Sequence, residues 1–353
     1  MSNKDPENIA DVTIDWLSER LAESSLLSRS YITKFYIEDI AEGRAWLSSV
    51  VRVKLEYDSN PDELPYSFVI KLSQSKDNRS KEYEVEAYKR EINFYEQIAP
   101  SLPMRLPKLY YSNHKNLMIL EDLSFLKPGD QLEGIDNEKK FITLEALAKL
   151  HAAYWNRNEL NQYEWLPDTN NVEKDFDNNW DSFVDLCGYF IDPKALRIGE
   201  KLKGNTRWLI QEISKKPQTL AHDDMKLDNL LFGEPKTSEA VVILDWQFVI
   251  KSMGTIDVAR FIGGGLNPDQ RAGHQIEYLR FWYDKLVENG VSNYSWEDAQ
   301  GDFQLAALYC LLFPVKFHKG ISSAKGRALE YIQSLYSGLF LLAEEVDAGS
   351  MLK

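Results

Sequence analysis

The stretch AHDDMKLDNLLF places His222, Asp224 and Asn229 close together, and twenty-one residues beyond Asp224 the apolar run VVILDWQ delivers Asp245. Phosphoryl transfer asks little covalent chemistry of a protein. It needs positioned reactants, a group to receive the acceptor's hydroxyl proton, and cations to offset phosphate charge. Asp224 suits the proton-accepting role. Mg²⁺ prefers oxygen ligands and usually takes only one or two carboxylates, leaving its other positions to water and substrate phosphate. Asn229 and Asp245 fit that habit. The five-residue step from Asp224 to Asn229 lets one loop aim the first at an acceptor and the second at a metal. An Asp and an Asn in a polar loop also serve as turn formers bonded to their own backbone. The string alone does not decide between these roles.

The flanking sequence supplies the elements that must position these residues. Two short apolar runs, 230–232 and 241–244, enclose GEPKTSEA, a turn-forming composition, and predict a hairpin with Asp245 emerging at a strand end. Upstream, SFVIKL (67–72) has the β-branched and aromatic content of a strand with Lys71 near its end. A lysine there either snorkels to solvent or meets a partner. Residues 81–99 carry a helical stripe of Tyr88, Ile92, Tyr95 and Ala99, and Glu91 falls at its edge. An ionised carboxylate at that edge is costly unless a cation meets it. Lys71 is the natural candidate, the alternative being a solvated helix pair.

In order, SFVIK, KREINFYEQI, LMILEDL, LAKLHAAYW, HDDMKLDNLLF, VVILDWQ and GTIDVARFIGG resemble the aminoglycoside phosphotransferase and choline kinase superfamily. The spacing and the LDWQ string are most similar to its ecdysteroid kinase-like branch, over about residues 40 to 345. The resemblance implies a protein kinase-like α+β fold of two lobes, with ATP in the cleft between them. It makes Asp224 the catalytic base, has Asn229 and Asp245 hold Mg²⁺, and has Lys71 with Glu91 position the ATP phosphates. LMILEDL looks like the hinge, where the backbone of Glu121 and Leu123 would meet adenine. His222 is then expected to orient the catalytic loop by hydrogen bonds. Asp257 either bonds that loop's backbone, as the resemblance suggests, or serves as an N-terminal helix carboxylate. Two departures stand out. Asp223 occupies a position where many relatives carry glycine, and Gly43 is the only glycine in AEGRAWLSSVVRVKLEY, where a nucleotide-covering loop is expected.

Chain-wide properties agree. A length of 353 residues with 44% hydrophobic content supports two compact bodies. The expected division is a helical extension over 1–36, an ATP-binding lobe over 37–122 that is small and β-rich, and a larger α-helical catalytic lobe over 123–353. No internal repeat is evident. The start MSNKDPENIADV has no apolar leader and no run is long enough to span a bilayer, so a cytoplasmic, non-membrane protein is expected. Cys187 and Cys310, the only cysteines, suggest neither a disulfide framework nor a zinc cluster. His151 is expected to be packed and hydrogen-bonded.

The acceptor is less constrained. A net charge of −14 disfavours nucleic acid, and residues 121–190 hold 15 acidic against 6 basic side chains. This stretch also carries Tyr154, Trp155, Tyr163, Trp165, Phe176, Trp180 and Phe183. An acidic wall suits an aminoglycoside or amino alcohol, an aromatic one a hydrophobic alcohol, and ordinary core plus solvated surface accounts for both. The principal expectation is a small-molecule kinase. The alternatives are a nucleotide-binding scaffold with little catalysis and a metal phosphohydrolase built on the His222–Asp223 doublet. Oligomeric state is open.

Overall fold

The structure, a computed structural model, describes residues 4–24, 31–40, 48–58, 64–73, 81–171 and 175–352. Gly43 lies outside them. The chain divides into two compact units, one of residues 1–101 and 106–126, the other of 102–105 and 127–353.

The first unit contains α1 (Ile14–Glu23), β1 (Ile32–Asp39), β2 (Ser48–Tyr57), β3 (Ser67–Ser73), α2 (Lys81–Asn93), β4 (Leu109–Ser112) and β5 (Leu117–Glu121). The strands form one antiparallel sheet in the order β1-β2-β3-β5-β4. Alternation along the strands sets its faces. Val51, Val53 and Leu55 of β2 and Phe68, Ile70 and Leu72 of β3 join Trp16, Leu17 and Leu21 of α1 in one core. Lys71 is offset by one from that set, so it points to the other face. The helical reading of 1–36 holds for α1 but not at its end, where Ile32–Asp39 is a strand. The apolar positions that suggested helix are Ile14, Leu17, Leu21 and Leu26, the last outside the described residues; beyond them, pairing of β1 along β2 sets the conformation.

On Lys71's face lies α2. Tyr88, Ile92 and Tyr95 are buried as the stripe predicts. A π-helical turn at Phe94–Ile98 then adds a residue to the turn and brings Ile98, rather than Ala99, fully inside.

The second unit is mainly helical. It runs through β6 (Lys127–Pro128), α3 (Asn137–Tyr154), α4 (Phe176–Cys187), α5 (Pro193–Leu202), α6 (Thr206–Ser214) and β7 (Thr219–Ala221). It continues with β8 (Leu230–Phe232), β9 (Val241–Ile243), β10 (Ile250–Ser252), α7 (Thr255–Arg260) and α8 (Pro268–Arg271). The last helices are α9 (Gln275–Glu288), α10 (Trp296–Cys310), α11 (Leu312–Phe317) and α12 (Arg327–Glu345). The expected hairpin is β8–β9, with Leu230 opposite Ile243. A second small pair, β7–β10, encloses in sequence both the His222–Asn229 loop and this hairpin.

The aromatic-rich stretch divides: Tyr154, Trp155, Tyr163 and Trp165 are partly buried, and the three on α4 are core. Phe176, Trp180 and Phe183 are buried, and Phe183 stacks on Phe340 of α12 with centroids 5.3 Å apart. Part of the acidic excess is also spent locally: Asp136 caps α3 through the Lys139 N–H, and Asp130 accepts the N–H groups of Leu132 and Glu133. Neither observation describes a substrate wall. No helix among the described residues is long and apolar enough to cross a membrane.

Candidate active site

In the first unit, Lys71 and Glu91 meet as expected. Lys71 Nζ donates to Glu91 Oε2 at 2.6 Å, and the carboxylate is 1% exposed. The Tyr88 ring lies 5.7 Å from the same ammonium. Glu91 is therefore more deeply buried than its place at the stripe's edge suggests, with Lys71 as the cation that burial requires.

The expected hinge follows β5. Glu121 donates its N–H to the Lys108 carbonyl at 2.9 Å, and the Leu123 carbonyl accepts from Leu126 N–H at 2.9 Å. Between them, Asp122 does work that the sequence reading missed. Its carboxylate takes Arg52 Nε at 2.8 Å, Ser67 Oγ at 2.6 Å and Ser124 N–H at 3.0 Å, tying β2 and β3 to the hinge. Burial opposes the charge, yet these donors hold the acid below the usual carboxylate range.

In the second unit the expected catalytic loop leaves β7 at His222. His222 Nε2 lies 2.9 Å from the Leu244 carbonyl, which can only accept, so Nε2 carries the hydrogen. Nδ1 then accepts Asp224 N–H at 3.2 Å. The imidazole thus spaces the two halves of the site, as expected of a loop-orienting histidine. Asp257, in the first turn of α7, accepts His222 N–H at 2.7 Å and Asp223 N–H at 2.8 Å. Both readings of Asp257 are therefore met. Burial works against its charge, but His151 and the loop amide outweigh that and keep the acid below its ordinary range.

Asp224 is 4% exposed. Its Oδ2 receives Lys226 Nζ at 2.8 Å and Asn229 Nδ2 at 3.1 Å. Asn229 Nδ2 also donates to the Asp224 carbonyl at 2.9 Å. With the amide nitrogen so engaged, Oδ1 is the atom that Asn229 offers a cation. Leu244 donates its N–H to the Asn229 carbonyl at 2.8 Å, extending the β8–β9 pairing by one step. Asp245 follows directly, in a left-handed conformation at φ 65°, and accepts Gln247 Nε2 at 3.2 Å. One amide oxygen and one carboxylate on neighbouring strand ends suit Mg²⁺, which keeps most of its shell for water and phosphate.

Lys226 is a second residue missed from sequence. Burial disfavours its charge, but Asp224, Tyr331 and Asp245 hold the ammonium well above the ordinary lysine range. Its position two residues beyond Asp224 was the available signal. Asp223, at φ 59°, turns to Arg260 and Tyr309. With both His222 nitrogens committed, the His222–Asp223 doublet is not a metal centre. Among the described residues, no group of three His, Cys, Asp or Glu is placed to hold a metal.

Residues 42–291 match the ecdysteroid kinase-like family. Similar solved structures include a putative aminoglycoside phosphotransferase from Ralstonia eutropha JMP134, at 12% identity and TM-score 0.57, covering 96% of this chain and 98% of the other. Choline kinase from Cryptosporidium parvum Iowa II is 10% identical at TM-score 0.55, covering 90% and 91%. A macrolide 2′-phosphotransferase from Brachybacterium faecium is 14% identical at TM-score 0.51, covering 91% and 98%. At these identities the likeness is one of fold. No curated protein matches the sequence.

Proposed function

The chain belongs to the ecdysteroid kinase-like family, and from that premise we propose an ATP- and Mg²⁺-dependent kinase that moves the γ-phosphate to a hydroxyl of a small molecule. The observation that carries this reading is the buried Asp224 carboxylate, held by Lys226 and Asn229 with Asp245 on the adjoining strand end. Asp224 accepts the acceptor's hydroxyl proton as the oxygen attacks, and its two hydrogen bonds fix the direction of the carboxylate. Lys226 presents positive charge where charge on the transferred group would gather. Asn229 Oδ1 and Asp245 would hold Mg²⁺, which when bound supplies neutralisation of phosphate charge. Lys71, kept in place by Glu91, serves the nucleotide phosphates. The backbone of Glu121 and Leu123 serves adenine, with the role falling on the Leu123 N–H because the Leu123 carbonyl is already in a turn.

The acceptor class is an amino alcohol, an aminoglycoside-like sugar or a hydrophobic alcohol; the first two follow the names choline kinase and aminoglycoside phosphotransferase, the third the aromatic content of residues 121–190. Nucleic acid is disfavoured by the acidic balance. We place the reaction in the cytoplasm, where ATP is supplied. The test is a γ-phosphate transfer screen over aminoglycosides, macrolides, choline-like amines, sugars and hydrophobic alcohols, read by acceptor mass. The parent should phosphorylate one class only with Mg²⁺ present, and Asp224→Asn should lose transfer while still binding ATP. Transfer by Asp224→Asn at the parent rate would overturn the assignment. Tight ATP binding with no transfer to any acceptor would favour the scaffold reading.

A further inference from the structure

Asp223 has a side chain where the backbone would be better served without one. Its φ of 59° lies in the left-handed region, which glycine adopts freely and which crowds a β-carbon. The contacts of the side chain account for its presence. One carboxylate oxygen receives Arg260 Nη2 of α7 at 3.3 Å, and the other receives the Tyr309 hydroxyl of α10 at 3.1 Å. Arg260 is 6% exposed and lies under the Phe313 ring of α11, its guanidinium 4.5 Å from the ring centroid. Tyr309 is 3% exposed. Two helices thus converge on the residue immediately before Asp224, with α11 backing the Arg260 guanidinium; the Asp224 N–H is itself taken by His222.

We propose that Asp223 is a positioning residue for Asp224: its carboxylate, clamped between Arg260 and Tyr309, locks the turn that aims the base. This rests on the kinase reading of Asp224. Two grips then act on one peptide, Asp257 on the Asp223 N–H and the Arg260–Tyr309 pair on the Asp223 side chain. The grip depends on charge. The groups facing Asp223 are Asp224 on its own loop, Asp257 and Arg260 on α7, and Tyr309 and Cys310 on α10. Burial, with Asp257 and Asp224 nearby, pushes the acid up to about 6 despite Arg260 and Tyr309. The Cys310 thiol, raised by burial to about 12, stays neutral. Below about pH 6 the clamp therefore loses its anion, and it closes as pH rises.

The test compares parent, Asp223→Gly, Asp223→Asn and Asp224→Asn between pH 5 and 8. It measures kcat and KM for ATP, and hydrogen exchange of the peptide containing His222 to Asp224. Glycine suits the left-handed turn and asparagine tolerates it, so both variants are expected to fold. For both, kcat should fall about tenfold at pH 7.5 with KM for ATP within about twofold, a loss corresponding to about 1.4 kcal/mol. The parent's acid limb near pH 6 should flatten, and exchange of the loop amides should rise in both variants. Parent kcat, parent limb and parent exchange in Asp223→Gly and Asp223→Asn would overturn the proposal. If the parent transfers no phosphate, or Asp224→Asn transfers it undiminished, the kinase reading fails, and the exchange measurement still decides whether Asp223 fixes the loop.

Discussion

Trp282 donates its indole N–H to Nδ1 of His151 over 3.0 Å. Indole can only donate, so the second ring nitrogen of His151 must carry the hydrogen, and it reaches Asp257 at 3.1 Å. From Asp257 the chain of bonds continues to His222 and Asp223. A tryptophan on α9 thereby fixes the carboxylate that holds the proposed catalytic loop.

Replacing Asp257 by asparagine keeps the shape but turns an NH₂ group toward donors. It should cost about 1.5–3 kcal/mol, the usual worth of a hydrogen bond to a charged group, and lower transfer with little change in ATP affinity. Denaturant unfolding and steady-state kinetics measure the two effects, and unchanged stability would show that the loop does not depend on this anchor.

Gly254 precedes α7, and a β-carbon there would lie 2.7 Å from His151 Nδ1. The ring is held at both nitrogens and cannot swing aside cheaply. Gly254→Ala should therefore displace His151, cost about 1–3 kcal/mol as an overpacked site, and depress kcat from outside the loop. A crystal structure of the variant with the Trp282–His151 bond intact would refute this.

Truncating Glu91 to alanine leaves Lys71 charged and buried. Removing one member of a buried pair typically costs about 3–5 kcal/mol. Thermal unfolding should register that loss, and KM for ATP should rise. The double change Lys71→Met with Glu91→Leu should recover stability but not activity, which separates the pair's structural cost from its proposed role.

Stability should respond to pH through Asp223 and Asp257 with opposite signs. Asp223 has its acid raised to about 6 from 3.8, so the folded state holds that proton more tightly and stability falls as pH rises from about 4 to about 6. Asp257 lies below its ordinary value; its contribution is present above about pH 4 and is lost as pH falls through the folded value. At about 1.36 kcal/mol for each tenfold change in proton affinity, Asp223→Asn should gain on the parent by about 3 kcal/mol between pH 4 and pH 7. Parallel stability curves for the two proteins would contradict this.

What the sequence made legible was local. Lys71 at a strand end, Glu91 three residues after Tyr88, and two apolar runs around a turn each carry their meaning within about twenty residues. The hairpin and the Lys71–Glu91 pair follow from that. What it hid was distant. His151 and Asp257 are 106 positions apart, Asp223 and Tyr309 are 86 apart, and Trp180 packs with Phe340 from the last long helix. Periodicity records which face of an element is apolar and is silent about which other element covers it. For that reason Phe176, Trp180 and Phe183 could be read as part of a ligand wall, although they are buried core. The strand at Ile32–Asp39 was hidden for the same reason, since its partner decides its conformation.

The β8–β9 hairpin has one more consequence. Asn229 and Asp245 sit at its open end, while its tip at Glu234–Ser238 is exposed. Cleavage at the tip would leave one proposed metal oxygen on each fragment, joined only through the ladder and the packing around it. The hairpin is thus a natural seam for a split protein, and reassembly of the two fragments would be scored by the return of Mg²⁺-dependent transfer.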